Sequence, residues 1–267
     1  MDLQLKGKRA LVTGGSRGIG KAIARELALE GAHVAILARD PARLEATAAE
    51  LRQETGCTIV AVSADTTLDE DMKQAITKAV AGLGGGIDIL VNAAAEPGGY
   101  AAPPKIETLQ SDFFHGEMNT KVMGYLRSAR EVVPYMKQQG WGRIVNISGL
   151  AARGTGNTVG SVRNVAVAAL SKNLADELGP SGINVNCVHP GLTRTERTAD
   201  KVKSQAAKLG ISEADVEKQM AHHNSIRHVV DAREVAYVVT FLCSPRSIAL
   251  NGDIIAAGGG VGNAIHY

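Results

Sequence analysis

Short runs of apolar and β-branched residues recur along the chain at 9–13 (RALVT), 32–37 (AHVAIL), 58–62 (TIVAV), 87–91 (IDILV), 142–147 (GRIVNI), 183–188 (INVNCV) and 253–256 (DIIA). Few polar residues interrupt them, so they read as strands covered on both faces rather than as one-sided strands with strict alternation. Between them, apolar positions at three- and four-residue spacing over 18–30, 42–55 and 121–139 predict helices with one buried stripe. Strands alternating with helices predict an α/β fold: a doubly wound parallel sheet of about seven strands, flanked by helices and joined by right-handed crossovers.

No repeat, low-complexity tract or Pro/Gly/Ser linker divides the 267 residues, so one domain over 1–267 is expected. Two irregular stretches stand out: 95–104 (AEPGGYAAPP), and the polar, helical-looking 193–230 after His189-Pro190-Gly191. Both follow strands at the carboxyl edge of the sheet, where open α/β folds bind ligands. The second is expected to act as a substrate lid. Apolar residues at 45% and charged residues at 21% fit an ordinary globular protein. A net charge of +2 with no long Lys/Arg run argues against a nucleic-acid partner. Cys57, Cys187 and Cys243 lack the spacing of a zinc site or disulfide framework, which points to a reducing compartment. His222, His223 and His228 have no Asp, Glu or Cys partners at ligand spacing, so they are read as solvated and no metal is expected. With no leader-like N-terminus and no apolar window of ~18 residues, a cytoplasmic protein without a membrane span is expected.

The first strand runs straight into Thr13-Gly14-Gly15-Ser16-Arg17-Gly18-Ile19-Gly20, and a helix follows at once. Glycines there let the backbone turn tightly and approach a pyrophosphate, whose charge is met by the open N–H groups of the helix. Strand, turn, helix and second strand together are the context that a Rossmann dinucleotide site requires. At the end of the second strand Ala38 stands where an acidic residue would hold a ribose 2′-hydroxyl, and Arg39 follows. With Arg17 also at hand, a 2′-phosphate is the better match, so NADP(H) is preferred and NAD(H) is the alternative. Arg39 pointing into solvent beside Asp40 is the competing reading.

Together TGGSRGIG at 13–20, Asp65 after the third strand, Asn92-Ala93-Ala94 after the fourth, WGRIVNIS at 141–148, ELGPSGINVN at 177–186 and HPGLTRT at 189–195 extend over almost the whole chain. In these motifs and their order the chain resembles the short-chain dehydrogenase/reductase family, especially its bacterial 3-oxoacyl carrier-protein reductase members. The resemblance implies that Gly14, Ser16, Arg17, Gly18, Ile19, Gly20, Ala93, Pro190 and Gly191 wrap the cofactor. It further implies that Asp65 meets the adenine edge, that Asn92 buttresses the fourth strand beside the cofactor, and that Thr195 holds the nicotinamide carboxamide. It also implies a small-molecule carbonyl or alcohol substrate, and a homotetramer or homodimer associating through the helices at 121–139 and 160–179.

The resemblance fails at the proton-transfer site. Family members carry a Ser after the fifth strand, then a Tyr and, four residues beyond it on the same helical face, a Lys. The Tyr moves the proton, the Lys lowers its pKa and the Ser polarises the substrate oxygen. Counting back from ELGPSGINVN, the Tyr position reads Gly160 and the Lys position Asn164. The Ser position falls on Gly149, with Ser148 next door, and a position usually held by Asn reads Lys121. No Tyr lies between Gly142 and Thr195, so no shift of register restores the motif.

Two readings follow. Either the site is rebuilt, with Lys121 supplying the acid or base while Ser148 and Asn164 orient the substrate, or the fold binds NADP(H) without turning it over, as a sensor, scaffold or partner subunit. Nonredox chemistry in the same cleft is a third reading. Lys121 as a surface helix residue and Asn164 as a local cap stand against the first. Tyr100 is a further proton-donor candidate or a loop anchor, and His189 packs near the nicotinamide half or reaches the substrate.

Overall fold

The computed structural model describes residues 1–95 and 102–262; Tyr100 lies outside the described residues. Seven strands form one fully parallel sheet: β1 (Arg9–Thr13), β2 (His33–Ala38), β3 (Ile59–Ser63), β4 (Ile89–Asn92), β5 (Gly142–Ile147), β6 (Ile183–Pro190) and β9 (Ile254–Ala257). Their order is β3-β2-β1-β4-β5-β6-β9. Chain direction along the sheet reverses between β1 and β4, and such a switch point opens a crevice beyond the carboxyl ends of the strands.

The apolar runs build two cores because successive side chains point to opposite faces of a strand. On one face Ala10, Val12, Val34, Ile36, Ile89 and Val91 pack beneath α1 (Gly18–Leu29), α2 (Pro41–Thr55) and α9 (Ala232–Leu242). On the other, Leu11, Leu37, Leu90, Ile144 and Val185 pack beneath α3 (Asp69–Gly82), α5 (Gly124–Gln139) and α6 (Thr158–Leu178). Helix ends follow local chemistry. The Asp40 side chain accepts from the Arg43 N–H to cap α2, Pro41 opens that helix, and Gly56, at φ +68°, closes it.

The helix expected from residue 121 begins earlier. Helix α4 (Ser111–Met118) passes through a π-helical turn at Asn119–Met123 before continuing as α5. A π turn adds a residue to the helical circuit and is a frequent mark of a functional site. It carries Lys121, which is only 4% exposed, so the surface-helix reading of Lys121 is overturned.

The 193–230 stretch folds as a closed helical pair, α7 (Thr198–Leu209) and α8 (Glu213–Ala221). Its ends are tied by two-residue strands β7 (Thr193–Arg194) and β8 (Val230–Asp231), with Thr193 opposite Val230. Val202, Ala206, Val216, Met220 and Val229 give it a small core of its own. No described helix is long and apolar enough to cross a membrane.

A buried polar ladder ties the helices to the strands beneath the crevice. Ser128 Oγ donates to Asn92 Oδ1 at 2.6 Å, Asn92 Nδ2 to Asn146 Oδ1 at 2.9 Å, Asn146 Nδ2 to Ser171 Oγ at 2.9 Å, and Ser171 Oγ to the Val167 carbonyl at 2.8 Å. It links α5, β4, β5 and α6 in sequence, and so sets the spacing of the two helices that carry Lys121 and Asn164. Asn146→Ala leaves the buried Asn92 amide without its acceptor, and an unsatisfied buried donor costs ~1–3 kcal/mol. Urea unfolding of this variant is expected to show a loss of that size, and an unchanged midpoint would mean that the ladder bears no load.

Candidate active site

A cavity of about 780 Å³ lies along the carboxyl ends of the strands. At one end it is lined by Gly14, Ser16, Arg17, Gly18, Ile19 and Gly20, by Ala38 and Arg39, and by Asp65. In the middle come Ala93, Pro190, Gly191 and Thr195, and at the far end Lys121, Ser148 and Asn164. Asn92, expected to buttress the fourth strand beside the cofactor, is 1% exposed with its amide spent on the ladder, and it supports the cavity floor from below.

The glycine-rich turn fits a dinucleotide on steric grounds. A Cβ on Gly20 would lie 2.2 Å from the Gly14 carbonyl oxygen, and one on Gly14, at φ +71°, would lie 2.8 Å from that of Ala93. Strand, turn and helix close on one another only with glycine at both places. Helix α1 has no side-chain cap from Arg17 and no acidic residue in its first turn, which leaves its N–H groups to an anion from elsewhere. In the structure that anion is Glu196, whose carboxylate accepts from the Gly18 N–H at 2.8 and 3.1 Å. The residue follows Thr195 directly, and only that adjacency in the chain hints at its place.

The corner beside Ala38 carries charges of both signs. Arg39 and Arg43 both line the cavity next to Ala38. Asp40, the nearest carboxylate in sequence, is engaged as the α2 cap and pairs with Arg43 at 3.5 Å, so it is not poised for a ribose hydroxyl. Asp65 Oδ1 accepts from Thr67 N and Oγ1, which fixes its carboxylate at the end of β3.

At the far end three sequence candidates meet. Lys121 Nζ donates to the Ser148 carbonyl at 2.9 Å and to Asn164 Oδ1 at 3.1 Å. Ser148 Oγ donates to the Asn164 carbonyl at 2.9 Å, and Asn164 Nδ2 reaches the Gly149 carbonyl at 3.4 Å. A Cβ on residue 149 would sit 2.9 Å from Asn164 Nδ2, so glycine there admits the asparagine. Asn164 is thus no local cap: it and Ser148 hold the lysine. Among the described residues no aromatic ring lines the cavity, and the Gly160 N–H is taken by the N-cap Asn157.

Burial, followed by the charge of Arg163, pushes the Lys121 ammonium down from its ordinary value to about 7. Arg163, the residue before Asn164, lines the cavity and pairs with Glu117 of α4. Its Nε is buried with no partner among the described residues. Sequence reasoning missed this pair. His189 is buried and accepts from the Gly149 N–H through Nδ1 at 3.2 Å, which places it behind the loop instead of in the cavity. Burial, then Arg153 and Lys121, lower its pKa to about 4, so at neutral pH it is uncharged. His228 pairs with Glu234, and His222 Nδ1 lies 2.6 Å from the Lys218 carbonyl.

Residues 8–231 match the short chain dehydrogenase family. Dehydrogenase/reductase SDR family member 4 of Sus scrofa is 32% identical over 98% of this chain and 89% of its own length. The NADPH-dependent reductase BacG of Bacillus subtilis is 30% identical over 95% of this chain and 97% of its own. L-Sorbose reductase from Gluconobacter frateurii, solved with NADPH and L-sorbose, superposes with a TM-score of 0.91 at 30% identity, over 99% of this chain and 100% of that one. The family match over residues 8–231 and these identities over nearly full length lead to one assignment: the chain belongs to the short-chain dehydrogenase/reductase family.

Proposed function

We propose that the protein is an NADP(H)-dependent oxidoreductase that moves hydride between the nicotinamide and a small-molecule carbonyl or secondary alcohol, with Lys121 carrying the proton. The observation behind this is the buried Lys121 ammonium, held by two fixed oxygens and opening onto the cavity. Bound NADP(H) would supply the hydride in reduction and accept it in oxidation.

An ammonium has three N–H donors. The Ser148 carbonyl and Asn164 Oδ1 take two, and the third is left for the cavity. After that third proton passes to the substrate oxygen, the neutral amine still has two N–H groups for the same two acceptors. Proton loss therefore breaks no hydrogen bond inside the protein, and the lone pair it exposes is the base for the reverse reaction. A pKa of about 7 matches this work at neutral pH. Ser148 Oγ gives its proton to Asn164, so Ser148 and Asn164 position Lys121 and do not themselves polarise the substrate. Helices α7 and α8, which reach the cavity through Lys201 and Met220, serve as the lid.

We also propose assembly as a homotetramer or homodimer through α5 and α6. Val162 and Val165 leave an apolar strip on α6, at 43% and 50% exposed. Val165→Glu is expected to lower the mass found by analytical ultracentrifugation, and an unchanged mass would remove α6 from the interface.

Lys121→Met is expected to lower kcat for ketone reduction by about 10²–10⁴-fold while the NADPH Kd stays within about twofold, since the residue lies at the far end of the cavity. Reduction needs the ammonium, so its kcat should fall as pH rises through about 7, whereas alcohol oxidation needs the amine and should rise. Arg163→Gln removes a positive charge that lowers the Lys121 pKa, so both limbs should move to higher pH. A Lys121→Met enzyme with full turnover across a panel of ketones, diketones and 3-oxoacyl thioesters would exclude the lysine. Absence of wild-type turnover despite tight NADPH binding would instead favour the noncatalytic reading.

Arg39→Ala is expected to weaken NADPH binding by ~1–3 kcal/mol, the worth of a charged hydrogen bond, and to leave NADH nearly unaffected in fluorescence titration. Equal losses for the two cofactors would take the 2′-phosphate away from Arg39.

A further inference from the structure

Glu196 sits where the chemistry of a dinucleotide site least calls for a carboxylate. Both of its oxygens approach the N–H of Gly18, the first residue of α1, although the two residues are 178 apart in sequence. That N–H belongs to the helix N-terminus which, in this family's fold, receives the cofactor's pyrophosphate. The helix dipole and its open donors favour any anion there, and they hold only one at a time, because a carboxylate and a pyrophosphate within a few ångströms repel each other.

We infer that Glu196 is a determinant of cofactor affinity: it occupies the pyrophosphate's place at Gly18 in the empty protein and must leave it for NADP(H) to bind. The inference rests on the cofactor reading above. Its wider consequence follows from the position of Glu196 between β7 and α7. The neighbouring backbone is stiff: the Thr195 N–H donates to Thr198 Oγ1 at 2.9 Å, and the Thr198 N–H to the Thr195 carbonyl at 2.9 Å. A carboxylate on so short and braced a link latches the start of the α7–α8 pair to the glycine-rich turn. Cofactor entry and release of that latch are then one event, and return of the carboxylate to Gly18 assists cofactor departure. Glu196 itself is solvent-exposed, which leaves it free to swing away without opening the core.

The pyrophosphate is common to oxidised and reduced cofactors and is missing from adenosine 2′-monophosphate, which still carries the 2′-phosphate. In Glu196→Gln and Glu196→Ala the Kd values of NADPH and NADP⁺ should both fall by about three- to twentyfold, the range of a partly screened charge at a helix terminus. The Kd of adenosine 2′-monophosphate should not change. Hydrogen exchange of the cofactor-free variants should be faster at Gly18 and across 198–209, and this difference from wild type should vanish on saturation with NADPH. Unchanged or weaker NADPH binding in the variants would overturn the proposal, as would equal tightening of adenosine 2′-monophosphate or an exchange pattern the same as wild type. If wild type bound no NADPH at all, the cofactor reading would fall first and this proposal with it; tight wild-type binding without the expected change in the variants would sink the Glu196 role alone.

Discussion

An ammonium that is 4% exposed imposes conditions on everything around it. Removed from water, a cation is tolerated only where oxygens replace its hydration shell, and one partner left unmet makes the site costly. Around Lys121 those oxygens come from the end of β5 and from α6, held at hydrogen-bond distance by the Ser148–Asn164 bond and by the buried ladder beneath. Glycine at 149 leaves room for Asn164, whose Nδ2 would lie 2.9 Å from a Cβ there. The π turn carries Lys121, which is buried within reach of both acceptors.

Several other titratable groups are buried near this end of the cavity, and burial moves each of them out of use at neutral pH. The Cys187 thiol is pushed up to about 11 and stays protonated, and the Tyr125 phenol is pushed far up, its hydroxyl spent on the Ile147 carbonyl. His189 goes down to about 4 and stays neutral. Burial drives acids up and bases down, so a group titrates near neutrality only where its ordinary value lies far enough away on the correct side. A lysine meets that condition here and a histidine or tyrosine does not. Among the described residues buried at this end, Lys121 is the one whose pKa is brought to about 7.

How far the sequence could be read depends on which forces are local. Strands β1 and β5 fall at their expected ends and the others shift by one to a few residues, because buried strands announce themselves as uninterrupted apolar runs. The glycine turn was legible for a similar reason: its geometry is enforced by backbone contacts a few residues apart. The grouping of Lys121 with Ser148 and Asn164 was legible only through the resemblance, which implies that the usual Lys position reads Asn164 and the usual Asn position Lys121; periodicity alone allows a solvated lysine. The π turn, the ladder partners of Asn92 and the Arg163–Glu117 pair were not legible. Each depends on side chains distant in sequence and close only after the sheet has formed.

The two ends of the cavity are built on different principles. At the cofactor end the recognising groups are main-chain N–H groups and the absence of Cβ atoms, so any residue but glycine at 14 or 20 collides with backbone. At the far end the recognising groups are side chains on two helices whose spacing is set independently by the ladder. There one cation and one amide meet, Lys121 Nζ donating to Asn164 Oδ1 at 3.1 Å, and both residues line the cavity. Under the proposed function it is the cation itself that faces the substrate, which makes Lys121 the group that gives the proton away.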